Sequence, residues 1–186
     1  MSALTPIAPQ TVASGPTTLV IKEKKGPSLT GDSGKIKDDK GNLIYEIDAK
    51  HLTISGRRVL LDASSGKQIA QGRAKKMPGI HPAMYIGPMD DEKKCMVKVK
   101  GMLDITKTDA DIYMNDKVIG EVSGNWRAKS FKVSIEGKEV ATVERKTGVT
   151  GHLLDADSYT VEIAAGVDTA FMCMVVISLD ELYHDQ

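Results

Sequence analysis

The strongest hydrophobic pattern lies near the end of the chain, where eight consecutive apolar residues run from Ala170 to Ile177. The surrounding stretch, 168–183, contains no glycine or proline and is longer than a typical strand. Val175 and Val176 favour a strand, but this length and the alanine, methionine and leucine residues favour a helix. A helix that is apolar on every side must be enclosed on every side. We therefore predict a buried helix over 168–183.

The preceding part of the chain alternates short strands with turns. Cys95, Val97 and Val99 alternate with Lys98 and Lys100, which is typical of an antiparallel sheet with one dry and one wet face. The hairpin candidates are 35–48, 57–75, 111–122 and 131–146, with turns at Lys40-Gly41-Asn42, Ser65-Gly66, Asn115-Asp116 and Glu136-Gly137. A helix of this length spans about 24 Å, enough to thread a small barrel. The patterns together predict a mainly β protein, a closed antiparallel β-barrel around a central hydrophobic C-terminal α-helix.

The 186 residues suit a single domain with a sizeable core. Residues 1–17 are uncharged and contain Pro6, Pro9 and Pro16, so we predict a disordered N-terminal tail rather than a signal peptide, followed by a barrel domain over 18–186. The apolar run near the end is bracketed by Asp168 and Asp180 and is too short to span a membrane, which takes about 20 residues. No transmembrane segment is expected.

Charge and cysteine content limit the partners and the cellular compartment that we expect for this protein. The chain has 25 basic and 25 acidic residues, so it lacks the basic excess of a nucleic-acid-binding protein. Cys95 and Cys173 each lie in an apolar run, where a free thiol behaves as a small hydrophobe. Two such cysteines do not make a disulfide framework, which favours a reducing compartment. We expect a cytoplasmic monomer.

Three segments carry a resemblance to a known family. They are RRVLLD at 57–62, CMVKVKG at 95–101 and YTVEIAAGVDTAFMCMVVISLDE at 159–181. In these segments, and over roughly residues 18–183, the chain resembles LURP-one-related proteins, in the tubby C-terminal-like superfamily. The resemblance implies about 12 strands around the central C-terminal helix. Tubby proteins bind phosphoinositides and the related scramblases are associated with membranes and calcium, but this chain carries neither the tubby lipid-pocket signature nor the scramblase calcium segment.

The residue types that carry catalysis are present without a catalytic arrangement. His152, Asp155 and Ser158 are close in sequence, but no G-x-S-x-G turn accompanies them. The other histidines lie in separate segments without metal-ligand spacing, and no phosphate-binding glycine motif is present. We predict a protein without enzymatic activity, metal or cofactor.

Two binding functions remain open. Basic side chains gain about 1 kcal/mol each near an anionic leaflet, and outward lysines could bind anionic lipid, while the alternative is that they only keep the barrel exterior soluble. The lipid-binding candidates are Lys75, Lys76, Lys98, Lys100 and Lys132. The loop that holds Trp126, the single tryptophan, could instead present a rim to a protein partner. We expect a binding or scaffold protein acting at membrane surfaces, with an anionic-lipid or phosphoinositide module as the alternative.

Overall fold

The computed structural model describes residues 7–22, 34–49, 57–75, 82–100, 108–125, 128–144 and 158–184. Within them, twelve strands precede a single α-helix. The strands are β1 (Thr17–Lys22), β2 (Gly34–Asp38), β3 (Leu43–Ala49), β4 (Arg58–Asp62), β5 (Gln68–Lys75), β6 (Ala83–Pro88), β7 (Cys95–Val99), β8 (Thr108–Met114), β9 (Lys117–Asn125), β10 (Ser130–Ile135), β11 (Lys138–Glu144) and β12 (Ser158–Ile163). The helix, α1, spans Thr169–His184.

The strands form a closed antiparallel barrel in which each strand pairs with its neighbours along the chain. The barrel closes where β1 meets β12, with Leu19 opposite Val161. This confirms the predicted fold class. The β8–β9 and β10–β11 hairpins turn at Asn115-Asp116 and at Glu136-Gly137, all with positive φ, as the sequence predicts for two-residue hairpin turns.

The helix α1 fills the inside of the barrel. From Ala170 to Leu179 no side chain is more than 6% exposed, so the helix is enclosed around its full circumference. It packs most closely against β5, whose inner face carries the small residues Ala70 and Gly72. A Cβ atom on Gly72 would lie 2.7 Å from Cε of Met174, so the glycine lets the helix approach this strand. The predicted buried helix is confirmed.

The start of the described chain closes the end of the barrel at which α1 begins. Ile7 and Ala8 are buried in the core, and a 3-10 turn follows at Pro9–Thr11. Within the predicted disordered tail over 1–17, residues 7–16 thus include buried side chains and a 3-10 turn, and Thr17 begins β1, while residues 1–6 lie outside the described residues. Pro9, one of the prolines that suggested disorder, suits this segment, since it takes the first position of the 3-10 turn.

The other end of α1 is closed by two ion pairs. Asp180 and Glu181 oppose the helix macrodipole, which favours cations at this end. Arg58 of β4 lies 2.6 Å from Glu181, and Lys129, in the β9–β10 turn, lies 3.5 Å from Asp180. The barrel wall thus supplies the positive charge that the last turn of the helix lacks.

Candidate functional site: a basic and aromatic face of the barrel

The outer surface of β5 and β6 centres on Tyr85. Its neighbours in the strand, Met84 and Ile86, are fully buried inside the barrel, so alternation directs Tyr85 outward. The Nζ atoms of Lys75 and Lys93 lie 5.4 Å and 5.8 Å from the centroid of the tyrosine ring. Both distances are within the range of a cation–π contact. One aromatic ring therefore holds two ammonium groups close together on the surface.

Two arginines extend this positive surface towards β4. Arg73 lies directly opposite Tyr85 in the β5–β6 ladder. Arg58 is paired with Gly72 in the antiparallel β4–β5 ladder. One position further along, Arg57 therefore lies beside Arg73. We call Arg57, Arg73, Lys75, Tyr85 and Lys93 the basic face.

The side chain of Arg57 is held in place by a hydrogen bond from one of its terminal nitrogens. One terminal nitrogen donates a 2.6 Å hydrogen bond to Oε1 of Gln71, which is itself buried and donates to the backbone oxygens of Pro88 and Met89, each at 3.0 Å. The Nε atom of Arg57 is enclosed but has no hydrogen-bond partner in the described part of the chain. A guanidinium fixed in this way presents donors with little loss of side-chain freedom.

The basic face carries more positive than negative charge. Its one ion pair within the described ranges joins Arg73 to Glu92 at 3.2 Å. The turn between β6 and β7 also carries Asp90 and Asp91, which are exposed at its tip. Lys93 is part of this turn, whereas Arg57, Arg73 and Lys75 lie on or next to the strands beside it.

The structure separates the lysines that the sequence analysis grouped. Lys75 on β5 and Lys98 on β7 are both paired with Ala83 on the strand between them, β6. The two lysines therefore lie on the same surface. Lys100 instead lies between two carboxylates, 2.8 Å from Asp111 and 3.4 Å from Glu121. Its hydrogen bond to Asp111 raises the pKa of Lys100 above the ordinary value of 10.5, and the two carboxylates neutralise its charge.

Lys132 lies on β10, away from the basic face, beside a shallow groove of about 300 Å³. It forms a 2.7 Å ion pair with Glu139, which raises the pKa of Lys132 above its ordinary value. Glu144 lines the same groove, so the groove carries both signs of charge. Lys76 and Trp126 lie outside the described residues. Whether any of these side chains binds lipid stays a prediction.

The described side chains with catalytic potential are buried in the fold. Ser158 begins β12 and is buried, while His152 and Asp155 lie outside the described residues. Burial raises the pKa of the Cys95 thiol to about 12 and also raises that of Cys173, so neither forms a thiolate readily. The described residues contain no group of three or more metal-ligating side chains. No described helix has both the length and the hydrophobicity needed to span a membrane.

Sequence reasoning missed four of the five members of the basic face. Arg73 and Lys75 are two residues apart on one strand, which predicts a shared face. The position of Tyr85 between Lys75 and Lys93 depends on the β5–β6 register and on the path of the β6–β7 turn. Neither can be obtained from one strand alone.

A sequence profile described as LURP-one-related matches residues 17–180 of the chain, which is most of its length. The chain belongs to the LURP-one-related family. Protein LURP-one-related 15 of Arabidopsis thaliana is 28% identical over 187 residues, covering 95% of this chain and 84% of the relative. Protein LURP-one-related 10 of the same plant is 26% identical over 186 residues, covering 95% of each chain.

A solved structure of another protein shares the fold of this LURP-one-related protein. It is the X-ray structure of an Arabidopsis thaliana protein that is 24% identical in sequence. The two structures superpose with a TM-score of 0.68, covering 96% of this chain and 98% of the other. The barrel with its C-terminal helix is therefore an architecture that this chain shares with a protein solved by crystallography.

Proposed function

We propose that this LURP-one-related protein is a non-enzymatic binding protein that attaches to anionic membrane surfaces through the basic face. The observation that carries the proposal is the pair of ammonium groups, Lys75 and Lys93, held within 6 Å of the centroid of the Tyr85 ring. Arg57 and Arg73 continue the same surface, and Glu92 offsets one of these four charges. At about 1 kcal/mol for each basic side chain near an anionic leaflet, the face supplies about 3 kcal/mol.

The interior of the barrel supports a binding role rather than catalysis. Enzymes place their reacting groups in a cleft with access to solvent. Here α1 occupies the space that a closed barrel would otherwise offer to a substrate, and its side chains from Ala170 to Leu179 are buried. The surface is left as the place where a ligand can bind.

We also infer that the family is part of the tubby C-terminal-like superfamily. A closed antiparallel barrel around a C-terminal helix, which is the architecture of this chain, supports that relationship. Cys95 and Cys173 are free and buried, which suits a reducing compartment. The proposed location is therefore the cytoplasm, with the protein peripheral at membranes.

Vesicle co-sedimentation tests the proposal. The protein is mixed with vesicles of phosphatidylcholine alone, with phosphatidylserine added, or with a phosphoinositide added. Binding is expected only to the anionic vesicles, and it should weaken as salt rises from about 0.05 M to about 0.5 M, because salt screens exposed charges. Equal binding to neutral vesicles, or none to anionic ones, would contradict the proposal.

A charge-reversal pair locates the site. Arg73→Glu with Lys75→Glu should lower binding to anionic vesicles at least about 30-fold, since each reversal removes an attraction of about 1 kcal/mol and adds a repulsion. Lys35→Glu with Lys37→Glu is the matched control, because these lysines are also exposed, two residues apart and on one strand, β2. Equal losses in the two double variants would mean that net charge, rather than the basic face, determines binding. If neither wild type nor control binds vesicles, a protein partner becomes the better candidate.

A further inference from the structure

A row of apolar and aromatic side chains continues from the basic face across three more strands. In the ladders, Tyr85 lies opposite Met96, Met96 opposite Tyr113, and Tyr113 opposite Val118. Directly paired residues point to the same face of a sheet, so these four side chains all lie on the outside of the barrel. We call them the outer row. With strands about 4.8 Å apart, the row is about 14 Å long.

The outer row is exposed where a barrel exterior is normally polar. Inward neighbours such as Ile86, Val97 and Ile112 are fully buried, whereas every member of the outer row has some exposure to solvent. Val118 is 56% exposed, the largest value for a large apolar side chain in the described ranges. An apolar row beside a set of basic residues is the pattern expected of a surface that contacts another apolar phase.

We propose that the outer row is the strip of the barrel that enters the lipid surface, with Val118 reaching the boundary between headgroups and acyl chains. This inference rests on the proposed membrane function and gives it an orientation. Tyrosine side chains suit the interface, because their rings are apolar and their hydroxyl groups stay hydrated. Arg73, Lys75 and Lys93 at one end of the row, and Lys98 beside Met96, would then meet the anionic headgroups.

The shape of the surface favours a bilayer over a peptide as the occupant. A bound peptide usually needs a groove or a free strand edge to pair with. The barrel is closed, so its described strands leave no such edge beside the row. Two shallow grooves formed by described residues are lined from β9 to β11 and from β2 to β4, and neither contains a member of the outer row. A convex strip with basic residues at its β5–β6 end can be covered by a deformable anionic lipid surface.

A fluorescent probe at position 118 tests the orientation. Val118→Cys is labelled with an environment-sensitive dye, and the native thiols should not react, because Cys95 and Cys173 are 1% and 0% exposed. Leu43→Cys is the control, since Leu43 is also exposed, at 36%, but lies on β3. Vesicles containing phosphatidylserine should shift the emission of the probe at 118 to the blue and should allow quenching by lipid-borne spin labels, with little change at 43.

Co-sedimentation of the same labelled samples separates the two proposals. If vesicles bind the protein while the probe at 118 stays as hydrated as the probe at 43, the outer row is not the contact and this inference is overturned, although the proposed function stands. If unlabelled wild type does not bind anionic vesicles, the proposed function fails as well. Val118→Asp should lower vesicle binding about tenfold with unchanged folding, because it replaces an apolar contact with a charge that the leaflet repels. Unchanged binding of Val118→Asp would also overturn the inference.

Discussion

The backbone N–H of Ala8 donates a 2.7 Å hydrogen bond to Oδ2 of Asp168, which lies 160 positions later in the chain. The other carboxylate oxygen, Oδ1, accepts a 2.6 Å bond from the hydroxyl of Thr11 and a 2.9 Å bond from the backbone N–H of Phe171. The same side chain thus caps the first turn of α1 and holds the N-terminal segment over the end of the barrel. Asp168 is itself buried, so the bonds from Ala8 and Phe171 are sheltered from water, and the bond from Thr11 is partly sheltered.

Removing this carboxylate should destabilise the whole protein. Asp168→Ala deletes a helix cap, which costs about 1 kcal/mol, and leaves the N–H of Ala8 buried without an acceptor, which costs about 1–3 kcal/mol. We expect a loss of about 2–4 kcal/mol in the free energy of unfolding, measured by urea denaturation. Asp168→Asn keeps one acceptor oxygen and should lose less. Glu162→Ala, at an exposed position on β12, is the control, and an equal effect of the two alanine variants would contradict the double role of Asp168.

Two glycines in the strands, Gly124 and Gly72, should respond differently to alanine. Gly124 has a φ of +145°, and a Cβ atom there would lie 2.5 Å from the backbone Cα of Phe131. A Cβ atom on Gly72 would instead meet the flexible ends of Met84 and Met174. Because backbone cannot move aside as a methionine can, Gly124→Ala should cost about 2–4 kcal/mol and Gly72→Ala about 1 kcal/mol. Urea denaturation of both variants checks the order, and the reverse order would be incompatible with this packing.

The ion pair at the end of α1 should contribute measurable coupling. Arg58 and Glu181 are 2.6 Å apart, and their side chains are only 20% and 16% exposed. A double-mutant cycle of Arg58→Ala and Glu181→Ala should give a coupling free energy of about 1 kcal/mol, above that of most surface pairs but reduced by the remaining solvent screening. Additive effects of the two substitutions would show that the pair adds nothing to stability.

Acid should weaken the β4–β5 hairpin through Asp62. Hydrogen bonds from the hydroxyl and backbone N–H groups of Ser64 and Ser65 lower the pKa of Asp62 from 3.8 to about 2. A carboxyl group whose pKa is lower in the folded state stabilises the fold above its unfolded pKa, and this contribution is lost as pH falls towards 2. Titration by NMR should show the low pKa in wild type and a value nearer 3.8 after Ser64→Ala with Ser65→Ala. The double variant should also lose less stability between about pH 4 and pH 2 than wild type does.

The sequence was sufficient for the main features of the fold. An uninterrupted apolar run predicts an element that is enclosed on every side, and the length of 168–183 favours a helix over a strand. The turns at Asn115-Asp116 and Glu136-Gly137 are predictable from residue type, since few residues accept positive φ. Strict alternation at Cys95, Val97 and Val99 predicts which side chains face inward, and all three are buried.

The N-terminal segment and the candidate site depend on contacts between distant parts of the chain. Ala8 and Thr11 form hydrogen bonds with Asp168, and no local sequence pattern predicts a hydrogen bond across 160 residues. Alternation correctly directs Lys100 outward, but the carboxylates that neutralise it come from β8 and β9. Which charges remain available at the surface is set by inter-strand register, and a single sequence specifies that register only indirectly.

The position of α1 in chain order has a consequence for biosynthesis. A ribosome makes all twelve strands before Thr169–His184 leaves the exit tunnel. Until then the nascent strands lack the core helix around which the barrel closes. β1 must in addition wait for β12, its partner at the closure of the barrel. The barrel can therefore complete its folding only after α1 has emerged, and until then the growing polypeptide exposes apolar strand faces that are prone to aggregation.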